Sequence, residues 1–371
     1  MTGRFGRFQA ATLLTLFTGF ALAQKPAIGL DRAITLYQGG DIPGACSILG
    51  QTMAHDSSDA RLHLYMAGCA IHEHDDKRIE AARRALAKSA PSPSPVHAIL
   101  GDWLAAAGRC GAAEREYALA PPPGTAGAVA FALAQCLQTA GELAAAVDRY
   151  RQAMDQNPDR EEYRLSLAFL LIGAGASDDA GRVLVDAAKR FPSSVRILVT
   201  MSLLHLELGY PDRARIGYER ARALEPDSPL VWKLLGRIQA AEGAHADAVA
   251  SFQKAAAKDA RDAQIWLWMG LSQVRLEGGA EKALSDFQRA LELDGDLLEA
   301  RLQSASIYLQ NKQEYAKAAA ELQRVLASNP DSARAHLLLV QAYQRLGEPD
   351  KAVVEARKYR ELTQSRPSLE P

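Results

Sequence analysis

The chain has 371 residues, 48% hydrophobic, 23% charged and 6% aromatic, with 43 basic and 44 acidic residues and a formal net charge of −1. So much apolar surface offsets the entropy of ordering and excludes an intrinsically disordered chain. The balanced charge excludes a protein that holds a polyanion by counterion release, so no nucleic-acid partner is expected.

Residues 1–23 read as a secretory signal peptide. Arg4 and Arg7 make a basic start, Ala10 to Ala23 is an uncharged apolar run, and Ala21-Leu22-Ala23 offers small residues to a signal peptidase. The run is 14 residues long, short of the roughly 20 that a helical membrane span needs. The expectation is a cleaved leader and an exported chain, periplasmic or secreted, without an integral membrane span. The first cysteine is Cys46, far from the cleavage point, which argues against a lipid anchor.

From residue 24 onward one pattern repeats. Ala146, Ala180, Ala214, Ala248, Ala283, Ala318 and Ala352 recur at steps of 34 or 35. Four residues after the first six stand Tyr150, Leu184, Tyr218, Phe252, Phe287 and Leu322. Gly108, Gly141, Gly175, Gly209, Gly243 and Gly347 form another column, with Gly40 at the front, and Pro158, Pro192, Pro226 and Pro330 close their units. A period near 34 residues implies stacked solenoid units. The alanines let two helix backbones approach, and the large residue one turn later fills the space between neighbours. The glycines suit a helix end that needs positive φ; where glycine is missing, Asp75 and Asn311 stand at or near that place, and Asp and Asn tolerate the left-handed region better than most. First helices are predicted at Tyr163–Ile172, Leu198–Leu208, Trp232–Ala241 and Trp266–Leu276, from apolar residues spaced i, i+3, i+4 and i+7.

Trp232-Lys-Leu-Leu235-Gly236 leading to Ala248, Phe252 and Ala255, and Trp266-Leu-Trp-Met269-Gly270 leading to Ala283, Phe287 and Ala290, resemble the tetratricopeptide repeat family. The resemblance covers about residues 26–366 in roughly ten units and implies an all-α, right-handed superhelical solenoid of tandem antiparallel helix pairs. It implies divergent repeats over 24–126, where Pro91–Pro95 and Pro121–Pro123 interrupt the columns, a regular array over 127–366 and a short tail at 367–371. The units at 263–298 and 299–332 carry one extra residue each, placed most simply at Gly278-Gly279 and Asn311–Tyr315.

In the family's register, Cys46 and Cys110 fall early on second helices, and Cys69 and Cys136 on the first helices that follow. Stacking of a second helix on the next first helix implies disulfides Cys46–Cys69 and Cys110–Cys136, each closing a loop that stabilises by roughly 3 kcal/mol. The alternative is four buried thiols acting as small hydrophobes. His72-Glu73-His74-Asp75-Asp76, with His63 nearby, has metal-binding side chains without a metal-binding spacing and reads as a solvated turn; His205 reads as a packed core histidine. No nucleophile elbow, phosphate loop or dinucleotide fingerprint occurs, and the repeats use nearly the whole chain, so neither enzyme activity nor a cofactor is expected.

The resemblance implies that the first helices line a concave groove for a protein or peptide. That face carries Leu165, Phe169, Ile172, Val199, Leu203, Leu206, Lys233, Arg237, Leu267, Leu271 and Val274, an apolar groove centre, unless adjoining first helices consume some of these residues as core. The family's carboxylate clamp needs a basic, Asn-rich groove; only Lys233 and Arg237 stand in suitable places. The expected function is a non-catalytic exported scaffold, for example in an outer-membrane, pilus or polysaccharide-export assembly. A structural protein that forms homo-oligomers through the same surface is the rival reading, and a hydrolase or carbohydrate-active protein a remote one.

Overall fold

The computed structural model describes residues 29–53, 58–90, 92, 94–120 and 126–364; the leader at 1–23 and the tail at 367–371 lie outside them. Among the described residues there are twenty α-helices and no strand. They divide into two compact units that meet between Ala176 and Ser177, inside the stretch that the repeat columns make regular. The first holds α1 (Leu30–Gln38), α2 (Ile42–Met53), α3 (Ala60–His72), α4 (Asp76–Ser89), α5 (Pro95–Ala106), α6 (Cys110–Tyr117), α7 (Ala126–Thr139), α8 (Leu143–Gln156) and α9 (Glu161–Gly173). The second holds α10 (Ser177–Arg190), α11 (Val195–Glu207), α12 (Pro211–Leu224), α13 (Pro229–Ala241), α14 (His245–Lys258), α15 (Ala263–Gln273), α16 (Ala280–Leu293), α17 (Leu298–Ile307), α18 (Tyr315–Ser328), α19 (Ala333–Leu346) and α20 (Pro349–Gln364). Each unit is a run of helix pairs, each helix packing chiefly on its sequence neighbours.

The residue columns are the core. Ala146, Ala214, Ala248, Ala283 and Ala318 are wholly buried, and Phe252 and Phe287 with them. Each of those two rings lies on a glycine of its partner helix. A Cβ at Gly236 would stand 2.7 Å from Phe252, and one at Gly270 would stand 2.6 Å from Phe287. No side chain fits there, so glycine is fixed by contact on these helices.

At the turns, the glycine column does adopt positive φ, from Gly40 to Gly347. The two substitutes differ from expectation: the left-handed residues are His74 (φ 57°) and Gln313 (φ 55°). Asp75 is kept extended because it caps α4, accepting from Arg78 N at 3.0 Å. Asn311 lies in a π-helical turn, Tyr308–Lys312, which absorbs one of the two extra residues. The other lengthens the turn at Gly278 and Gly279.

Side chains also tie successive pairs. Arg164 Nη1, Trp266 Nε1 and His336 Nε2 share one register, and they contact the carbonyl oxygens of Pro158, Ala260 and Pro330 at 2.8, 3.1 and 2.9 Å. His97 and His336 extend the device. Each has Nδ1 on a glutamate nineteen residues ahead (Glu116 at 2.7 Å, Glu355 at 2.5 Å) and Nε2 on a carbonyl from the preceding helix end.

In the first unit, Cys46 on α2 is joined to Cys69 on α3, and Cys110 on α6 to Cys136 on α7, with Cα–Cα separations of 5.8 and 5.7 Å. The bridges close spans of 23 and 26 residues, so breaking each is expected to cost roughly 3 kcal/mol. Because solenoid units couple to their neighbours, the loss should stay local. Amide hydrogen exchange after mild reduction should accelerate across α1–α7 and leave α13–α20 unchanged. Unaltered exchange in α1–α7 would refute a stabilising role.

Candidate binding surface on the first helices

The expected groove residues do not share one environment. Leu165 (2% exposed), Val199 (4%) and Leu267 (5%) are buried and line no open surface. They stand at equivalent repeat positions, where neighbouring helices enclose the side chain. Phe169, by contrast, is 54% exposed, and Val274 is 38% exposed. Ile172, Leu203, Leu206, Lys233, Arg237 and Leu271 are half-buried. In the first unit the open apolar residue of this set is Phe169 on α9. In the second, the half-exposed set runs across α11, α13 and α15.

Leu203, Arg237 and Leu271 follow one another at steps of 34, so they occupy one position on three successive first helices of the second unit. The middle one carries a cation. The Arg237 guanidinium carbon lies 3.4 Å from the centroid of the Trp268 ring. Burial holds Arg237 down to about 10, with Glu207 acting weakly in the opposite direction. Lys233, one turn earlier, is spent on Asp262. Trp268 was legible as part of the Trp266-Leu-Trp-Met269 signature, but its place beneath Arg237 depends on packing between α13 and α15.

In the first unit, the first helices carry an aromatic cluster that repeat columns do not reveal. Tyr37 stacks on Trp103 at 5.5 Å, and Tyr65 meets both rings edge-on at 5.2 and 5.5 Å. Tyr37 and Trp103 close over Gly68, whose Cβ would stand 2.5 Å from the Tyr37 hydroxyl and 2.8 Å from Trp103. Burial raises Tyr37 to about 12. The cluster fills its own space and offers packing, with little room for a guest.

The polar turn between α3 and α4 is occupied by local bonds: Glu73 pairs with Arg78, Asp76 with Arg109, and Asp75 caps α4. Among the described residues no group of His, Cys, Asp or Glu is arranged to hold a metal ion. His205 is half-buried, and burial together with Arg213 lowers its pKa. No helix among the described residues is long and apolar enough to cross a membrane.

Tetratricopeptide repeat family models match residues 137–193 and 312–368, and a second such model matches 195–238. These stretches are tetratricopeptide repeats. No curated protein matches the chain in sequence. The helical repeat fold is similar to that in the APC/C hetero-tetramer Cut9–Hcn1, at 18% identity over 86% of this chain and 64% of that one, with a TM-score of 0.53. It is also similar to a tetratricopeptide repeat protein from Parabacteroides merdae, at 13% identity over 76% of this chain and 98% of that one, with a TM-score of 0.50. At these identities the tetratricopeptide repeat likeness is one of fold: tandem helix pairs.

Proposed function

We propose that this tetratricopeptide repeat protein is a non-catalytic exported scaffold. It captures another protein or peptide on the open face of its first helices, in assembly of the cell envelope. The observation that carries the reading is the contrast between columns. The alanines and large residues of the second helices are sealed, whereas Phe169 is 54% exposed and Leu203, Leu206 and Leu271 are half-open on the first helices. Export is supported by the leader composition of residues 1–23 and by two cysteine pairs, which suit an oxidising compartment. The test is a crosslinking pull-down from the envelope fraction with the mature chain and with the double variant Leu203→Glu, Leu271→Glu. The expected result is a specific partner lost by at least tenfold in the variant at unchanged helicity. Equal capture by both proteins would count against this surface.

One observation favours a second reading, self-association through the end of the array. Val353 follows Ala352 as Val249 follows Ala248 and Ala319 follows Ala318. Val249 and Ala319 are 8% and 6% exposed, packed toward the next first helix, whereas Val353 is 65% exposed. Light scattering that gives a dimer mass for the wild type and a monomer mass for Val353→Lys would support this reading over the first.

A further inference from the structure

Of the cations on the first helices of the second unit, Arg345 is exposed at the end of α19, and three others are engaged. Lys233 bonds Asp262, Arg301 bonds Glu321 and the Gly295 carbonyl, and Arg334 pairs with Glu299. Arg237 differs. Among the described residues it makes no ion pair or hydrogen bond; it lies on the ring of Trp268 and feels Glu207 only as a nearby charge. Stacking covers one face of a guanidinium but engages none of its N–H groups, which lie in its plane and point outward. The group is held on a rigid ring and partly withdrawn from water, with N–H groups that still reach solvent and are open to an acceptor. Burial costs a cation free energy unless something compensates for it, and burial lowers the Arg237 pKa in the same sense.

We infer that Arg237, held on Trp268 between Leu203 and Leu271, is a recognition site for a single carboxylate on a partner peptide whose flanking side chains are apolar. The inference rests on the binding surface proposed above and specifies what that surface selects. The guanidinium edge matches a carboxylate bidentately. Leu203 and Leu271 stand one repeat to either side, so an extended segment would present apolar, acidic and apolar positions in turn. A phosphate group would call for more than one free cation, and Lys233 is already committed to Asp262. The same commitment, and the absence of asparagine from these positions, separates the site from the family's clamp for chaperone tails.

The full chain, immobilised, should be panned against a random library of nine-residue peptides, and the selected peptides resynthesised with a fluorophore for polarisation measurements. The expected consensus holds one Glu or Asp among apolar residues. Arg237→Gln, and separately Glu→Gln in the peptide, should each weaken binding about tenfold or more, and the two losses should not add. Arg237→Lys should fall between, because it keeps the charge and loses the planar fork. Arg237→Gln breaks no hydrogen bond or ion pair in the structure, so the variant should keep the helicity of the wild type. Peptides without an acid, or equal affinity for Arg237→Gln, would overturn the carboxylate site; the surface reading would then stand if Leu203→Glu still abolished binding and fall if it did not. A library yielding no binders would overturn both.

Discussion

Gly270→Ala is expected to destabilise the second unit by about 2 kcal/mol, although alanine is the better helix former by about 1 kcal/mol. The reason is contact. The added methyl would lie 2.6, 2.8 and 3.1 Å from three atoms of the Phe287 ring, which is wholly buried and has nowhere to turn. Gly270→Leu should cost more than about 4 kcal/mol, because no rotation of a packed ring makes room for four carbons. The same account predicts a rescue. Phe287→Leu alone opens a cavity and should cost roughly 1–2 kcal/mol. In the double variant the alanine methyl fills part of that cavity, so the combined loss should be at least about 1 kcal/mol less than the sum. Chemical denaturation of the four proteins measures this cycle. Additive losses would show that the ring does not enforce glycine at position 270.

This pairing explains what the sequence makes legible. Side-chain size at a fixed period is a one-dimensional property, so the alanine, phenylalanine and glycine columns, and with them the helix pairs, can be read without coordinates. Burial of the first helices cannot. Leu165, Val199 and Leu267 look like groove residues by spacing, yet their position faces an adjoining helix and they are 2–5% exposed. Phe169 and Leu203, four residues on, keep open surface. Local polar competition is equally hidden: Asp75 tolerates the left-handed region, but its carboxylate does more as the cap of α4, and His74 takes the strained backbone instead. Trp268 beneath Arg237, and the rings of Tyr37, Tyr65 and Trp103, come from helices one or more repeats apart. A period shows that such residues recur; it does not show which of them touch.

The repeats also act as controls for one another, and they expose a cost at Asp286. Three residues after Ala248, Ser251 donates its hydroxyl hydrogen to Gln239 Oε1 at 2.6 Å. Three residues after Ala283 stands Asp286, and the counterpart of Gln239 is Gln273, 7% exposed. A carboxylate in place of the hydroxyl has no hydrogen to donate. Asp286 is 9% exposed, its Oδ2 is buried without a hydrogen-bond partner, and burial pushes its pKa from 3.8 up to about 7. The sign follows from linkage. Below about pH 4 the group is protonated in both folded and unfolded chains and contributes nothing. Between pH 4 and pH 7 the folded chain keeps a proton that the unfolded chain has released, so stability falls as pH rises, and above pH 7 the penalty is complete. The penalty amounts to about 2–4 kcal/mol, partial hydration setting the lower figure. Asp286→Ser restores the hydroxyl found at position 251. It should therefore raise stability by that amount at pH 8 and by only about 1 kcal/mol at pH 5. Melting curves of both proteins across pH 5–8.5 decide the matter: parallel profiles would mean that Asp286 is hydrated and ionised at little cost, whereas profiles that diverge upward from pH 5 would place a strained carboxylate on α16, directly behind the helix that carries Trp268 and Leu271.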